Sequence, residues 1–129
     1  MTAKTKNTIG WVLTAVIVLM MSASAIDKIS GSAHALKMGA SFGISSGTYS
    51  VLGIIEMLSV ILFLFPRTGI LGTLLLSSYL GGAIATHLQH QQNIFFPVWI
   101  EVLVWITAVV RFQELTLRIR NDKSLNNKN

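Results

Sequence analysis

Hydrophobic positions along this chain neither alternate nor form narrow stripes; they fill four long runs, 9–26, 48–65, 69–86 and 94–110. Each run is apolar all the way round a helix, as a segment surrounded by lipid would be, whereas a helix at a water interface shows a polar face. At about 1.5 Å of rise per residue, about 18 residues cover about 27 Å, enough for the hydrocarbon core of a bilayer. The pattern therefore predicts transmembrane helices over about 9–27, 48–65, 69–87 and 94–111. The connections 66–68 and 87–93 are short, which favours antiparallel neighbours. The expected fold is all-α, an integral membrane up-down four-helix bundle forming one domain over 1–129. In the longer connection after the first span, Ser32 can cap a short interfacial helix that Gly39 ends, with Ala33, Leu36 and Ala40 on one side. The polar tail 121–129 is expected to be disordered.

Composition agrees: 52% of residues are hydrophobic, and four spans leave no room for an appended soluble enzyme. The net charge of +5 raises nucleic acid as a partner, but the basic residues do not form a stripe with interleaved aromatics, so none is expected. They sort by membrane side instead. With a cytoplasmic amino terminus, Lys4, Lys6, Arg67, Arg111, Arg118, Arg120, Lys123 and Lys128 lie inside and only Lys28 and Lys37 outside, the positive-inside pattern with both termini cytoplasmic. Trp11 at the inner edge, and Tyr49, Phe95, Phe96 and Trp99 at the outer one, suit interface anchors. Lys4, Lys6 and Ala23-Ser24-Ala25 also resemble a secretory signal, yet the apolar stretch is long for one and Asp27 follows at once; the first span is expected to be retained. With no cysteine, disulfides and thiolate metal sites are excluded.

Three of the five carboxylates fall in or at the ends of the runs: Asp27, Glu56 and Glu101. An acid at the centre of a span costs about 3 kcal/mol on insertion scales, against about 0.5 returned by each large apolar residue, so the second span still inserts. Glu56 must then face the interior, among Gly53 and Ser59 on its own face. Burial disfavours a lone carboxylate, so it reads as a largely protonated group able to donate a hydrogen bond. Asp27, His87 and Glu101 belong to the same outer half, and with Glu56 they make a candidate ligand-binding pocket open to the outer face. Taken singly, Asp27 and Lys28 suit interface charges, and Glu101 can answer His87 or Lys37.

His87 and His90 have i, i+3 spacing, but two histidines near a loop are better read as a solvated pair, and His34 adds no deep axial ligand; neither metal nor cofactor is expected. Ser77, Gly81 and Ala85 recur every four residues, as do Ser78, Gly82 and Thr86. Such spacing lets helices approach closely, within the bundle as the plainer reading or in a homo-oligomer.

The segments Gly53-Ile54-Ile55-Glu56, Phe65-Pro66-Arg67-Thr68-Gly69 and Tyr79-Leu80-Gly81-Gly82-Ala83-Ile84-Ala85-Thr86-His87 resemble the DoxX-like family of small bacterial membrane proteins, as do Ser30-Gly31 and Leu36-Lys37-Met38-Gly39. The resemblance implies four transmembrane helices, an uncleaved first span and the bacterial cytoplasmic (inner) membrane. Founding members of that family are subunits of a thiosulfate:quinone oxidoreductase, and some relatives associate with oxidative-stress enzymes. Branches that handle disulfides use cysteines, which this chain lacks. Glu56 and His87 lie in the matching segments. The expectation is an accessory subunit or docking module for a membrane redox protein or quinone, not an enzyme on its own. The alternatives are a binder or carrier of a small amphipathic or protonated molecule, and a purely structural module. A carboxy-terminal reporter is expected to be active only in the cytoplasm, and an intact mass to retain residues 1–25.

Overall fold

A computed structural model describes residues 1–120, which form six α-helices and no strand. They are α1 (Ala3–Ser30), α2 (Ala33–Ser41), α3 (Ser46–Leu64), α4 (Gly69–Gln89), α5 (Phe95–Arg111) and α6 (Gln113–Ile119). The expected disorder of 121–129 lies outside the described residues. The first three helices start at hydroxyl caps: Thr2, Ser32 and Ser45 accept from the amides of Thr5, Ala35 and Thr48. α1, α3 and α4 are long and apolar enough to cross a membrane. α5 and α6 pass as a fourth candidate only when taken together as one span bent by 102°.

The long helices close a ring in which α1 packs on α3, α3 on α4, α4 on α5 and α5 on α1. The ring is filled by Ile17, Met21, Val60, Phe63, Leu76, Leu80, Ile100 and Val104. Buried Thr14, Ser59, Thr73 and Thr107 leave no stray hydroxyl, because each donates to the carbonyl one turn earlier. The outer surface is as apolar as the core, with Val12, Leu19, Ile26, Leu58, Leu74 and Phe95 all exposed. In water so wide an apolar surface would aggregate; in a bilayer it meets acyl chains.

Close helix contacts fall at glycines other than those the small-residue spacing suggests. A Cβ at Gly72 would stand 2.1 Å from the Phe63 amide nitrogen, and one at Gly53 would stand 2.9 Å from the Ala25 carbonyl oxygen. Gly81 and Gly82 have nothing within 4 Å of a built Cβ, so the reading of these two as packed inside the bundle is corrected: they lie on the open outer side of α4. Gly39 likewise does not end α2. It is buried against the Tyr49 ring, and α2 continues to Ser41 before Gly43 adopts φ 66°, a left-handed conformation costly for residues with a Cβ. Ala33, Leu36 and Ala40 do share the outward side of α2. At the other end, Phe112 breaks α5 from α6 without proline or glycine. Its ring sits where a side chain at Gly69 would be, and its extended backbone stops the helix.

Gly72→Ala is expected to lower unfolding stability in detergent by about 1–3 kcal/mol, since backbone must move to admit the methyl. Gly81→Ala is expected to leave it unchanged or raise it by about 0.5–1 kcal/mol through helix propensity alone. Equal melting losses in the two variants would contradict this packing.

Candidate functional site

The residue that organises the end of the ring where α1 finishes is Lys28, on the last turns of that helix. Its side chain runs back along its own helix, as helical side chains do, and reaches the interior. There Nζ donates to Ser24 Oγ at 2.5 Å and to Glu56 Oε2 at 2.8 Å. Glu56 comes from the middle of α3, and its side chain is 2% exposed against 12% for Lys28. The Tyr79 hydroxyl of α4 donates to the same carboxylate oxygen at 3.0 Å. Lys28 Nζ also lies 5.7 Å and 5.9 Å from the ring centres of Tyr49 and Tyr79, within range of cation–π attraction. Gly53 makes the pairing geometrically available: a Cβ there would stand 2.8 Å from Lys28 Cβ, so only glycine lets α1 and α3 close to this separation. Glu56 is therefore not the lone carboxyl that its sequence position suggested; it meets the Lys28 side chain of the neighbouring helix.

Around this pair is a cavity of about 690 Å³, lined by all five of the first helices. Met21, Leu52, Ile55, Leu75 and Leu80 make an apolar wall, while Lys28, Glu56, Tyr49, Tyr79 and His87 supply its polar groups. Ile55 of α3, and Leu75, Ser78 and Gly82 of α4, both line the cavity and are exposed on the outside of the ring, so it opens sideways between α3 and α4. Gly82 contributes no side chain to obstruct that opening.

Three of the four sequence-derived site residues share this cavity: Asp27, Glu56 and His87. Asp27 sits at the rim, accepting from Ser32 and pairing with His34 Nδ1 at 2.8 Å. His87 donates Nδ1–H to the Ala83 carbonyl at 2.7 Å and tilts its ring against Phe42, which leaves Nε2 of the neutral ring as an acceptor. His90 likewise donates to its own helix, at the Thr86 carbonyl. Glu101 does not join them. It lies between α4 and α5, where Ser77 and the Trp105 indole (2.9 Å) hold Oε1, while Oε2 is buried without a hydrogen-bond partner among the described residues. It answers neither His87 nor Lys37. Ser77 is thereby turned into this contact and away from any outward small-residue face.

The sequence reading missed Lys28, Tyr79 and Tyr49. The available signal was Ser24 at i−4 from Lys28, a polar site one turn back inside the span. Tyr79 and Tyr49 each looked like ordinary apolar-run or interface residues.

A ring of long apolar helices around a cavity with a few polar groups suits a multi-pass membrane protein. The chain belongs to the DoxX-like family, whose model matches residues 12–109, a segment that holds Lys28, Glu56, Tyr79 and His87. Among curated proteins and solved structures nothing matches the chain.

Lys28→Met is expected to cost about 3–5 kcal/mol of stability, because it strands a buried carboxylate. Adding Glu56→Leu is expected to recover much of the loss, so the two substitutions are strongly non-additive. Additive losses in chemical unfolding in lipid nanodiscs would show that the two side chains do not meet.

Proposed function

We propose that this protein is a four-span, single-domain bundle of the bacterial cytoplasmic membrane, with both termini cytoplasmic, that binds a small neutral amphipathic molecule carrying a hydroxyl group. The eight-to-two basic asymmetry supports the orientation, and more strongly once Lys28 is counted as an interior group rather than an outer surface charge. The first span's contribution of Lys28 and Ser24 to the polar cluster favours its retention.

One observation carries the binding reading: the cavity's polar groups are only partly used by the protein. Glu56 Oε1 accepts no hydrogen bond from the described residues, yet it is not among the sealed, unpartnered atoms, so it meets the cavity. His87 Nε2 is a second open acceptor, and the ammonium of Lys28, with three N–H groups and two partners, keeps one donor. Because Lys28 already balances Glu56, a charged ligand would upset the local balance, while a hydroxyl can both donate and accept. The apolar wall and side opening suit a lipophilic tail arriving from the bilayer.

A second reading, a docking subunit for a membrane redox enzyme or for another copy of itself, is favoured by the uncovered face at Gly81 and Ala85, which would let a partner helix come close.

The binding reading is tested with a long-chain alkylphenol, its methyl ether and an alkylammonium of equal length, each titrated into the protein in nanodiscs. The phenol is expected to bind at least about tenfold more tightly than the ether, the loss of one hydrogen bond to a charged group. Gly82→Trp is expected to weaken it further by blocking the side entrance. Tighter binding of the ammonium would replace the neutral ligand by a cation, and no binding of any probe would remove the ligand reading.

A further inference from the structure

The opposite end of the ring carries a different kind of recess. About 280 Å³ in volume, it lies between the first turns of α1 and the corner joining α5 to α6. Lys6, Asn7 and Trp11 line it from α1, and Arg111 and Gln113 from the corner. All five carry N–H donors, and among the described residues no acidic side chain lines it.

Arg111 is fixed in place. Its Nη1 and Nη2 donate to the carbonyls of Phe63 and Leu64 at 2.9 Å and 3.0 Å, and its guanidinium lies 4.9 Å from the Trp11 and Phe112 ring centres. Gly10 leaves room for its stem, since a Cβ there would stand 2.9 Å from Arg111 Cγ. Those two carbonyls end α3, whose C-terminal dipole offsets about half a unit of charge. Among the described residues, three of the guanidinium's five N–H groups and the Trp11 indole N–H make no hydrogen bond. Neither Arg111 nor Lys6 forms an ion pair among the described residues.

We infer that this recess binds a phosphate group, supplied by the headgroup of a phospholipid in the leaflet facing the amino terminus. Lined among the described residues by several donors, with two cations and no carboxylate, the recess lacks what phosphate brings: negative charge on several acceptor oxygens. Because the guanidinium is already held by carbonyls and rings, little ordering remains to be done on binding. Trp11 and the basic start of α1 place the recess at headgroup level, where phosphodiesters are the dominant anion. This site is independent of the cavity at Glu56.

The test uses the full chain in mild detergent with phosphatidylglycerol, or with a lipid of the same acyl chains bearing a neutral sugar, and native mass spectrometry reads the lipid retained. Retention of one phosphatidylglycerol in preference to the sugar lipid is expected. K6Q should weaken it about tenfold, as loss of a charge-assisted hydrogen bond. K4Q, whose exposed side chain lies outside the recess, should leave it unchanged at salt high enough to screen surface charge. Both variants keep Arg111 and hence the α3 end. Equal retention of the two lipids, or equal losses in K6Q and K4Q, overturns the proposal. A second arm compares inorganic phosphate with chloride at matched ionic strength: a melting increase in the parent protein that K6Q abolishes transfers the site to soluble phosphate, and no increase leaves it to lipid.

Discussion

The contact between Lys28 and Glu56 constrains nearly everything else around the large cavity of this molecule. Neither group is tolerable alone in a low-dielectric interior, and each is acceptable in the presence of the other with added hydrogen bonds from Ser24 and Tyr79. The pair sets how near α1 must come to α3, and that separation in turn requires glycine at position 53. It also sets what the space beside it can be. A cavity bordered by a neutralised ion pair is polar without carrying net charge, a surface that suits dipoles and hydroxyls better than ions.

The two ends of the ring solve a shared problem differently. At each end a cation from one helix reaches across to another: Lys28 to a carboxylate of α3, and Arg111 to the terminal carbonyls of the same helix. The first arrangement is charge-balanced and sits beside a large open volume. The second keeps an excess of positive charge beside a small recess. The core between them is largely aliphatic and aromatic packing. α3 is the common partner of both cations, and a third polar contact, Glu101 with Ser77 and Trp105, lies apart from them between α4 and α5.

The spans were legible because hydrophobic length is read directly from the chain, and the caps at Ser32 and Ser45 follow local rules. Less legible was which face of each span turns inward. Fourfold spacing of small residues in α4 marks a smooth stripe but not its direction, and here Gly81 and Gly82 look outward while Gly72, outside that spacing, makes the tight contact. Glu56 was found because an acid within a span has few reasons to be there. Its partner was overlooked because a lysine at a span end looks like an interface charge, and only the three-dimensional reach of a long side chain shows otherwise. Tyr49, read as an interface anchor, also lines the cavity beside Lys28. Glu101 shows the converse error: four ionisable groups at similar depth need not share one side of the ring, and α5 turns this one toward Trp105. The break at Phe112 has no local signal, since it depends on a ring seated against a glycine far away in the chain.

The order of Lys28 and Glu56 along the chain bears on how the protein is made. The lysine belongs to the first helix to leave the ribosome and the glutamate to the third, so Lys28 reaches the membrane region before its partner does. A charge that cannot yet be neutralised holds its segment near the polar edge of the bilayer. Lys28, close to the end of α1, can stay in the headgroup layer at small cost, whereas Glu56, in the middle of α3, has no such refuge. The pair thus couples the depth of α3 to the inward turn of Lys28: burying the glutamate and drawing the lysine out of the headgroup layer are favourable together and costly apart.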